Sequence, residues 1–389
     1  MLGNFTYDIP TRIHFGKDAL EQLGPELAKV GPTVMLTYGR SSIKKNGIYD
    51  KVMAILKDAG KTVVEYSGIK SNPTLDQMLE GARLVRDHKV DFILAVGGGS
   101  VIDCVKGISV AAYAEGDPWE KYYVNWEPVT HKVVPIGTIL TMVGTGSEMN
   151  GGSVITNEAK KLKNGRNFES NMFPQFSILN PEFTYSVPEY QMLSGIFDAM
   201  SHLMEQYFAG TDDNVTDYLI EGLLRSLIHA GRQAKADPRN YEARSNIMWA
   251  ASLALNTMLA LGKQGGDWEV HMIEHQIGAY TDCAHGMGLS AVSVPYYKMV
   301  YKNNPAKFAR FANVVWGINT DNMTEDQAAL AGIDALGAYI KEMGMASNLR
   351  ELNTQEEMLP AIAESTILLT GGYKTLTKED VMTILKEAF

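Results

Sequence analysis

Cysteine is almost absent: Cys104 and Cys283 are the only two in 389 residues, a count that suits a reducing compartment. No uninterrupted apolar run reaches the roughly 20 residues that a membrane helix requires. The start, Met1 to Asp8, lacks the basic stretch and apolar stretch of a secretory signal. A cytoplasmic protein with no membrane partner is therefore expected. Basic residues are outnumbered, 35 Lys and Arg against 45 Asp and Glu, for a net charge of −10. Nucleic-acid binding needs a basic surface, so no nucleic-acid partner is expected. An acidic surface still leaves room for a small anionic cofactor in a local pocket. Tandem repeats and low-complexity segments are missing as well. What remains is an ordinary globular composition, 45% hydrophobic and 21% charged. The length favours two domains, each able to bury its own core.

Histidine is scarce, eight in all, yet three fall between His271 and His285. His271 and His275 are four apart in Trp268-Glu269-Val270-His271-Met272-Ile273-Glu274-His275. On a helix they stand on one face. Asp198 and His202 repeat the spacing in Phe197-Asp198-Ala199-Met200-Ser201-His202. One such pair can be a plain helix-surface interaction. Two pairs together with His285 have the donor types to hold a divalent cation with one position open. Cys283 lies two residues before His285 and is a weaker candidate ligand.

The first half alternates short apolar runs with helical patterns. Strands are expected at 34–38, 62–66, 92–96 and 133–138, and helices at 49–59, 75–88 and, after the Gly97-Gly98-Gly99-Ser100 turn, through about Ala112. That alternation predicts a mostly parallel sheet covered on both faces. Beyond Asn180-Pro181 helical periodicity takes over, with long helices expected at 216–234, 241–261 and 327–343. The reading is an α/β domain over residues 1–183 followed by an all-helical domain over 184–389, with every candidate metal ligand in the second.

Three loops in the first half suit a dinucleotide. Gly97-Gly98-Gly99-Ser100 joins a strand to a helix, where glycines let backbone approach a ligand and the helix N-terminus favours a pyrophosphate. The Ser100 hydroxyl can cap that helix or donate to a phosphate oxygen. The dinucleotide fingerprint G-x-G-x-x-G is not present, so the common Rossmann variety is not indicated. The second loop, Gly39-Arg40-Ser41-Ser42, has no carboxylate to bind a ribose hydroxyl or repel a 2′-phosphate, which favours NADP over NAD. The third runs from Gly137 to Glu148 and offers hydroxyls and glycines to a nicotinamide and its phosphates, or ordinary turn chemistry.

Taken in order, these motifs resemble the iron-type (group III) alcohol dehydrogenases, within them the NADP-dependent butanol dehydrogenase-like branch. The likeness includes Ile13-His14-Phe15-Gly16-Lys17, Ser42-Ile43-Lys44-Lys45-Asn46-Gly47, Asn72-Pro73-Thr74, Gly97 to Asp103, Thr145 to Asn150 and Gly266-Asp267-Trp268 through His285-Gly286. It implies a dehydroquinate synthase-like fold with the active site in the cleft between two domains. It implies Asp198, His202, His271 and His285 as ligands of one divalent metal, iron or zinc, with nickel or cobalt also suitable. His275 is implied as a proton-relay group near the metal. Gly98, Gly99 and Ser100 correspond to the pyrophosphate loop, Asp103 to a residue beside the nicotinamide ribose and Asn72 to an adenosine-side contact. Thr138 and Thr141 correspond to the phosphate-and-nicotinamide loop. A cofactor-contacting lysine is implied after Glu158; Lys160, Lys161 and Lys163 compete for it, and Lys163 is preferred. The branch commonly has a run of glycines where this chain has Gly39-Arg40-Ser41, and Arg40 is placed to pair with a 2′-phosphate or to point into solvent.

The resemblance further implies hydride transfer between NADP(H) and a primary alcohol/aldehyde pair, as in an aldehyde reductase or butanol dehydrogenase, and a homodimer. A rival reading comes from His271-Met272-Ile273-Glu274-His275, which fits the H-x-x-E-H pattern of a zinc metallopeptidase. That reading leaves Asp198, His202 and the glycine-rich half without a role.

Overall fold

The computed structural model of the chain describes residues 2–210, 213–263 and 265–389. The chain divides into two compact units, Asp8–Pro188 and Glu189–Phe389, and the N-terminal stretch up to Tyr7 packs with the second. The division falls at Pro188, five residues beyond the expected boundary. The Gly3 amide donates to the Gly262 carbonyl at 3.1 Å, a contact that strand and helix periodicity gave no reason to expect.

The strands of the first unit are β1 (Arg12–Phe15), β2 (Thr33–Tyr38), β3 (Thr62–Tyr66), β4 (Phe92–Gly97), β5 (Ile136–Leu140), β6 (Gly152–Asn157), β7 (Leu162–Asn167) and β8 (Phe176–Leu179). Six of them form one sheet in the order β1-β8-β5-β4-β2-β3, with every pair parallel. Strands buried on both faces read as continuous apolar runs, and Val34, Leu36, Phe92, Leu94, Val96, Ile139 and Ile178 share one core with Leu23, Leu27, Val52 and Leu56. β6 and β7 pair as a separate antiparallel hairpin.

Helices of more than ten residues are α1 (Ile48–Asp58), α2 (Leu75–His88) and α3 (Gly99–Ala111) in the first unit. In the second they are α4 (Glu189–Tyr207), α5 (Val215–Ala236), α6 (Tyr241–Ala254), α7 (Glu269–Thr281), α8 (His285–Val300), α9 (Glu325–Met343) and α10 (Lys378–Ala388). Among the described residues the second unit contains no strand longer than an isolated bridge. α2 starts where Thr74 and Gln77 form a reciprocal capping box and stops at Lys89 in the left-handed region (φ 51°). No helix of the described residues is long and apolar enough to cross a membrane.

Two expected boundaries are corrected. The strand expected at 133–138 occupies Ile136–Leu140, because Pro135 has no N–H to give; its carbonyl accepts from the Ile93 amide at 3.0 Å. The helix expected to reach Leu261 ends at Ala254, where Leu255 leaves helical backbone at φ −137°, and the left-handed Thr257 (φ 74°) keeps it from resuming.

Candidate active site

Helical spacing places Asp198, His202 and Glu205 on one stripe of α4. His271, Glu274 and His275 stand on one stripe of α7, and His285 opens α8. Two glycines let the three helices meet. A Cβ on Gly286 would lie 1.8 Å from the Ser194 carbonyl oxygen of α4, and one on Gly288 would lie 2.6 Å from Glu274 Cγ of α7. The Gly286 amide also donates to Ser194 Oγ at 3.0 Å. The dipeptide pair His285-Gly286-Met287-Gly288 is thus a packing device as much as a ligand carrier.

Three imidazole Nε2 atoms converge on a single carboxylate oxygen. Asp198 Oδ1 lies 3.3 Å from His202, 3.6 Å from His271 and 3.5 Å from His285. Ligand atoms about 2.1 Å from one tetrahedral ion stand roughly 3.4 Å apart, so the spacing is that of co-ligands. Asp198 Oδ1 and His271 Nε2 are buried without a hydrogen-bond partner among the described residues. Buried polar atoms left unpaired are costly, and a divalent cation would satisfy both. The donor set fits such an ion. Asp198, His202, His271 and His275 are buried, while the His285 side chain keeps 23% of its surface exposed.

Carboxylates stand behind two of the imidazoles. Glu205 accepts from His271 Nδ1 and Glu274 from His285 Nδ1. Glu205 also takes the Ser201 hydroxyl at 2.8 Å and the His271 amide at 3.2 Å. A carboxylate behind a ligand histidine fixes its tautomer and raises its basicity toward a metal. Both glutamates escaped the sequence reading of the metal site; the available signal was Glu205 seven residues after Asp198 on the same buried stripe. The Nδ1 of His202 has no such partner among the described residues. Burial opposes charge on His271, but Glu205 and Asp198 outweigh it and raise its pKa to about 10. Burial pushes His202 down to about 3 against the pull of Asp198, which leaves it in the neutral, ligating form. Burial also works against the Asp198 charge, yet the surrounding imidazoles hold its carboxyl well below the usual range. Glu205→Gln is expected to keep the fold and to weaken metal affinity about 10- to 100-fold, measured by competition with a chromogenic chelator. Unchanged affinity would remove Glu205 from the centre.

The peptidase reading does not survive this geometry. It needs Glu274 as a general base, whereas Glu274 is engaged with His285 Nδ1, and Asp198 of another helix supplies the carboxylate of the centre.

In the first unit, Gly97-Gly98-Gly99 forms the turn from β4 into α3, and no side chain caps the helix. A Cβ on Gly99 would meet Thr145 Oγ1 at 2.2 Å and one on Gly98 would meet Met142 Cβ at 2.9 Å. The glycines therefore let the 141–145 loop lie directly on the helix N-terminus, which presents N–H donors suited to a pyrophosphate. The Ser100 hydroxyl does not cap the helix; it donates to the Ser71 carbonyl. Thr138 is fully buried in β5 and donates to Ser177 Oγ at 2.7 Å. Thr141, by contrast, is half-buried at the start of the loop, just past the strand. Asp103 is buried, accepting from Ser147 Oγ at 2.5 Å and from the Val154 amide at 3.0 Å.

Arg40, Ser41 and Ser42 are exposed and Gly39 half-buried after β2. Beside them Glu65 of β3 accepts the Tyr38 and Tyr49 hydroxyls, each at 2.7 Å, and Lys44 Nζ stands 3.9 Å away. The three lysines differ in setting on the hairpin. Lys160 is exposed and paired with Glu120, Lys161 turns the chain with φ 51°, and Lys163 is buried on β7. Lys163 lies opposite Thr156, whose amide donates to the Pro73 carbonyl at 2.8 Å. Thr156 thus stands between Lys163 and the Asn72-Pro73 corner.

Lys106 of α3 is fully buried and was not singled out by its sequence setting. Its Nζ donates to the Ser147 carbonyl at 2.7 Å, Ser147 Oγ at 2.8 Å, Asn150 Oδ1 at 3.1 Å and the Gly152 carbonyl at 2.8 Å. It thereby ties the far end of the 141–152 loop to α3. Burial pushes it down to about 8 from 10.5, with Asp103 and Glu148 opposing. The unfolded chain binds this proton more tightly, so unfolding takes up a proton between about pH 8 and 10.5. The Lys106 contribution to stability should therefore rise with pH across that window, by about 3 kcal/mol in full. Urea denaturation across the window should show this rise in the native chain and a flatter profile in Lys106→Met. Parallel profiles would contradict it.

Comparison with known proteins converges on the same chemistry. The family model for iron-containing alcohol dehydrogenase matches residues 10–181, and that for the C-terminal part of the Fe-containing alcohol dehydrogenase family matches 192–389. The chain is 39% identical to NADH-dependent butanol dehydrogenase B of Clostridium acetobutylicum, over 99% of each chain. It is 35% identical to an NADPH-dependent aldehyde reductase of Escherichia coli, over 93% of this chain and 92% of that one. The crystal structure of NADH-dependent butanol dehydrogenase A from Thermotoga maritima superposes with a TM-score of 0.95, at 36% identity, over 100% of this chain and 99% of that one. With both halves matched and a histidine-carboxylate centre built on α4, α7 and α8, the chain belongs to the iron-containing alcohol dehydrogenase family.

Proposed function

We propose that this chain is an NADP(H)-dependent aldehyde reductase, acting reversibly on primary alcohols, with one divalent metal held by Asp198, His202, His271 and His285. The observation that carries the reading is the convergence of three imidazole Nε2 atoms on Asp198 Oδ1 at 3.3–3.6 Å. When bound, the cation supplies Lewis acidity toward the substrate oxygen and the nicotinamide supplies the hydride. The chain's own residues do the rest. Asp198 contributes the ligand charge, and Glu205 and Glu274 keep the His271 and His285 imidazoles oriented with Nε2 toward it. Gly98, Gly99 and the backbone of Ser100 receive the pyrophosphate at the N-terminus of α3, and Thr141 borders it. Asn72 and Lys163 serve the adenosine side.

Cofactor choice rests on the β2 loop. Arg40 and Lys44 are exposed cations there, and Glu65 beside them accepts a tyrosine hydroxyl on each oxygen. Two cations against one carboxylate leave a 2′-phosphate with net attraction at such a corner. The relatives include both NADH- and NADPH-dependent enzymes, so the comparison of kcat/KM for the two cofactors with butanal is the test. NADPH is expected to win by at least tenfold, and Arg40→Ala to narrow the gap; a preference for NADH overturns the assignment.

His275 is buried beside the centre, its ring centroid 5.7 Å from that of His285 and 6.3 Å from that of His271. We assign it the proton that the substrate oxygen gains or loses. His275→Ala is expected to retain a full complement of metal and to lose about 10²- to 10⁴-fold in kcat, the range of general acid–base catalysis. A metal-free His275→Ala protein would make it a ligand instead.

A further inference from the structure

Trp268 opens α7 with φ 64° and ψ 5°. Residues that cap helices normally take extended backbone, and a bulky side chain in the left-handed region is an outlier that persists only where its surroundings hold it. They do so on both sides. The Asp267 amide donates to the Glu205 carbonyl at 2.9 Å, and the Asp267 carboxyl meets the Tyr296 hydroxyl at 2.7 and 2.6 Å. A Cβ on Gly266 would lie 2.5 Å from the indole Nε1 of Trp268, so only glycine leaves room for the ring. Gly371 and Gly372 press on the same turn, where a Cβ would stand 2.0 Å from the Gly266 carbonyl oxygen and 2.5 Å from Asp267 Oδ1.

That fixed backbone brings the indole to the ligands. Its ring centroid lies 6.1 Å from His202 and 5.6 Å from His271. Asp198, His202, Glu205, His271, Glu274 and His275 are all buried; the members of this cluster with surface left are His285 and the half-buried Trp268. His285 and the indole are therefore the members of this cluster that a substrate arriving from outside can meet.

We propose that Trp268 is a specificity-determining residue whose ring forms the apolar wall for the substrate's carbon chain, so that alkyl aldehydes are favoured over polyhydroxylated or charged ones. The proposal rests on the aldehyde reductase reading above. Each methylene laid on the indole is worth about fourfold in kcat/KM.

The test compares ethanal, propanal, butanal and glyceraldehyde as acceptors for NADPH, with cobalt-loaded native chain, Trp268→Gly and Trp268→Phe. Glycine accepts the left-handed backbone without strain, so Trp268→Gly removes the ring and leaves the turn. The native chain should gain about fourfold per methylene, Trp268→Gly should lose that gradient through KM with cobalt content unchanged, and Trp268→Phe should keep most of it. Tryptophan fluorescence gives a readout without turnover: cobalt binding should quench the native chain strongly and Trp268→Phe much less. A gradient that persists in Trp268→Gly, or a Trp268→Gly protein that no longer holds cobalt, overturns the wall. A native chain that shows the Trp268-dependent quench but reduces none of these aldehydes fails the underlying reading and leaves the ring's place at the centre standing.

Discussion

Asp198→Ala is expected to yield a folded chain that holds no more than a tenth of an equivalent of divalent metal and has lost about 10²- to 10⁴-fold in activity. The range follows from removing one partner of a buried charge cluster, which costs about 3–5 kcal/mol. Asp198 Oδ1 is the shared neighbour of three Nε2 atoms, so its loss affects every other ligand at once. The loss is also electrostatic. His271 is held near a pKa of about 10, against its burial, by Glu205 and Asp198, and without Asp198 a dication there faces the imidazoles with less negative charge. Asp198→Asn separates charge from shape, since the amide fills the same space with no net charge. Metal analysis of both proteins after dialysis is the check. Near-stoichiometric metal in either would place the site elsewhere.

Gly286→Ala is expected to destabilise the second unit and to weaken the metal centre together. The added Cβ would stand 1.8 Å from the Ser194 carbonyl oxygen, which is backbone of α4 and has no rotamer to escape into. α4 and α8 must separate, and Asp198 and His285 ride on those two helices. Overpacking of this kind costs about 1–3 kcal/mol, and more where the neighbour is rigid. For a chain of this size that corresponds to a fall in Tm of roughly 2–4 °C per kcal/mol. The control is Gly222→Ala on α5, where a Cβ would meet nothing within 4 Å. There alanine should gain up to about 1 kcal/mol from helix propensity. Thermal unfolding of the two variants, with and without metal, should give opposite signs. Equal shifts would mean that the α4–α8 contact is not tight.

The centre was legible in the sequence because helices convert spacing into a face. Asp198 with His202 and His271 with His275 each needed only the four-residue period, and His285 announced itself by rarity. Glu205 was not legible for a related reason: a glutamate on a helix reads as solvated surface until tertiary packing shows which stripe is buried. The glycines after His285 carried their meaning only once Ser194 and Glu274 were seen opposite them. In the first unit the parallel strands stood out as apolar runs, while β1 and β8, four residues each, were too short to register. The partners of the hydroxyls were not legible: Thr138 donates to Ser177, its register neighbour on β8, and Ser100 to the Ser71 carbonyl. The preference for Lys163 rested on resemblance, and burial on β7 is the observation that separates it from Lys160 and Lys161.

The central claim is that turnover depends on one metal ion held by Asp198, His202, His271 and His285. The most direct test strips the purified chain with a chelator and returns ferrous iron or zinc in steps, under exclusion of oxygen for iron, while NADPH oxidation with butanal is followed. Activity should be absent in the stripped protein, rise in proportion to metal and level off at one equivalent per chain, with no rise in Asp198→Ala. Full turnover by the stripped chain, or restored turnover in Asp198→Ala, would contradict the account.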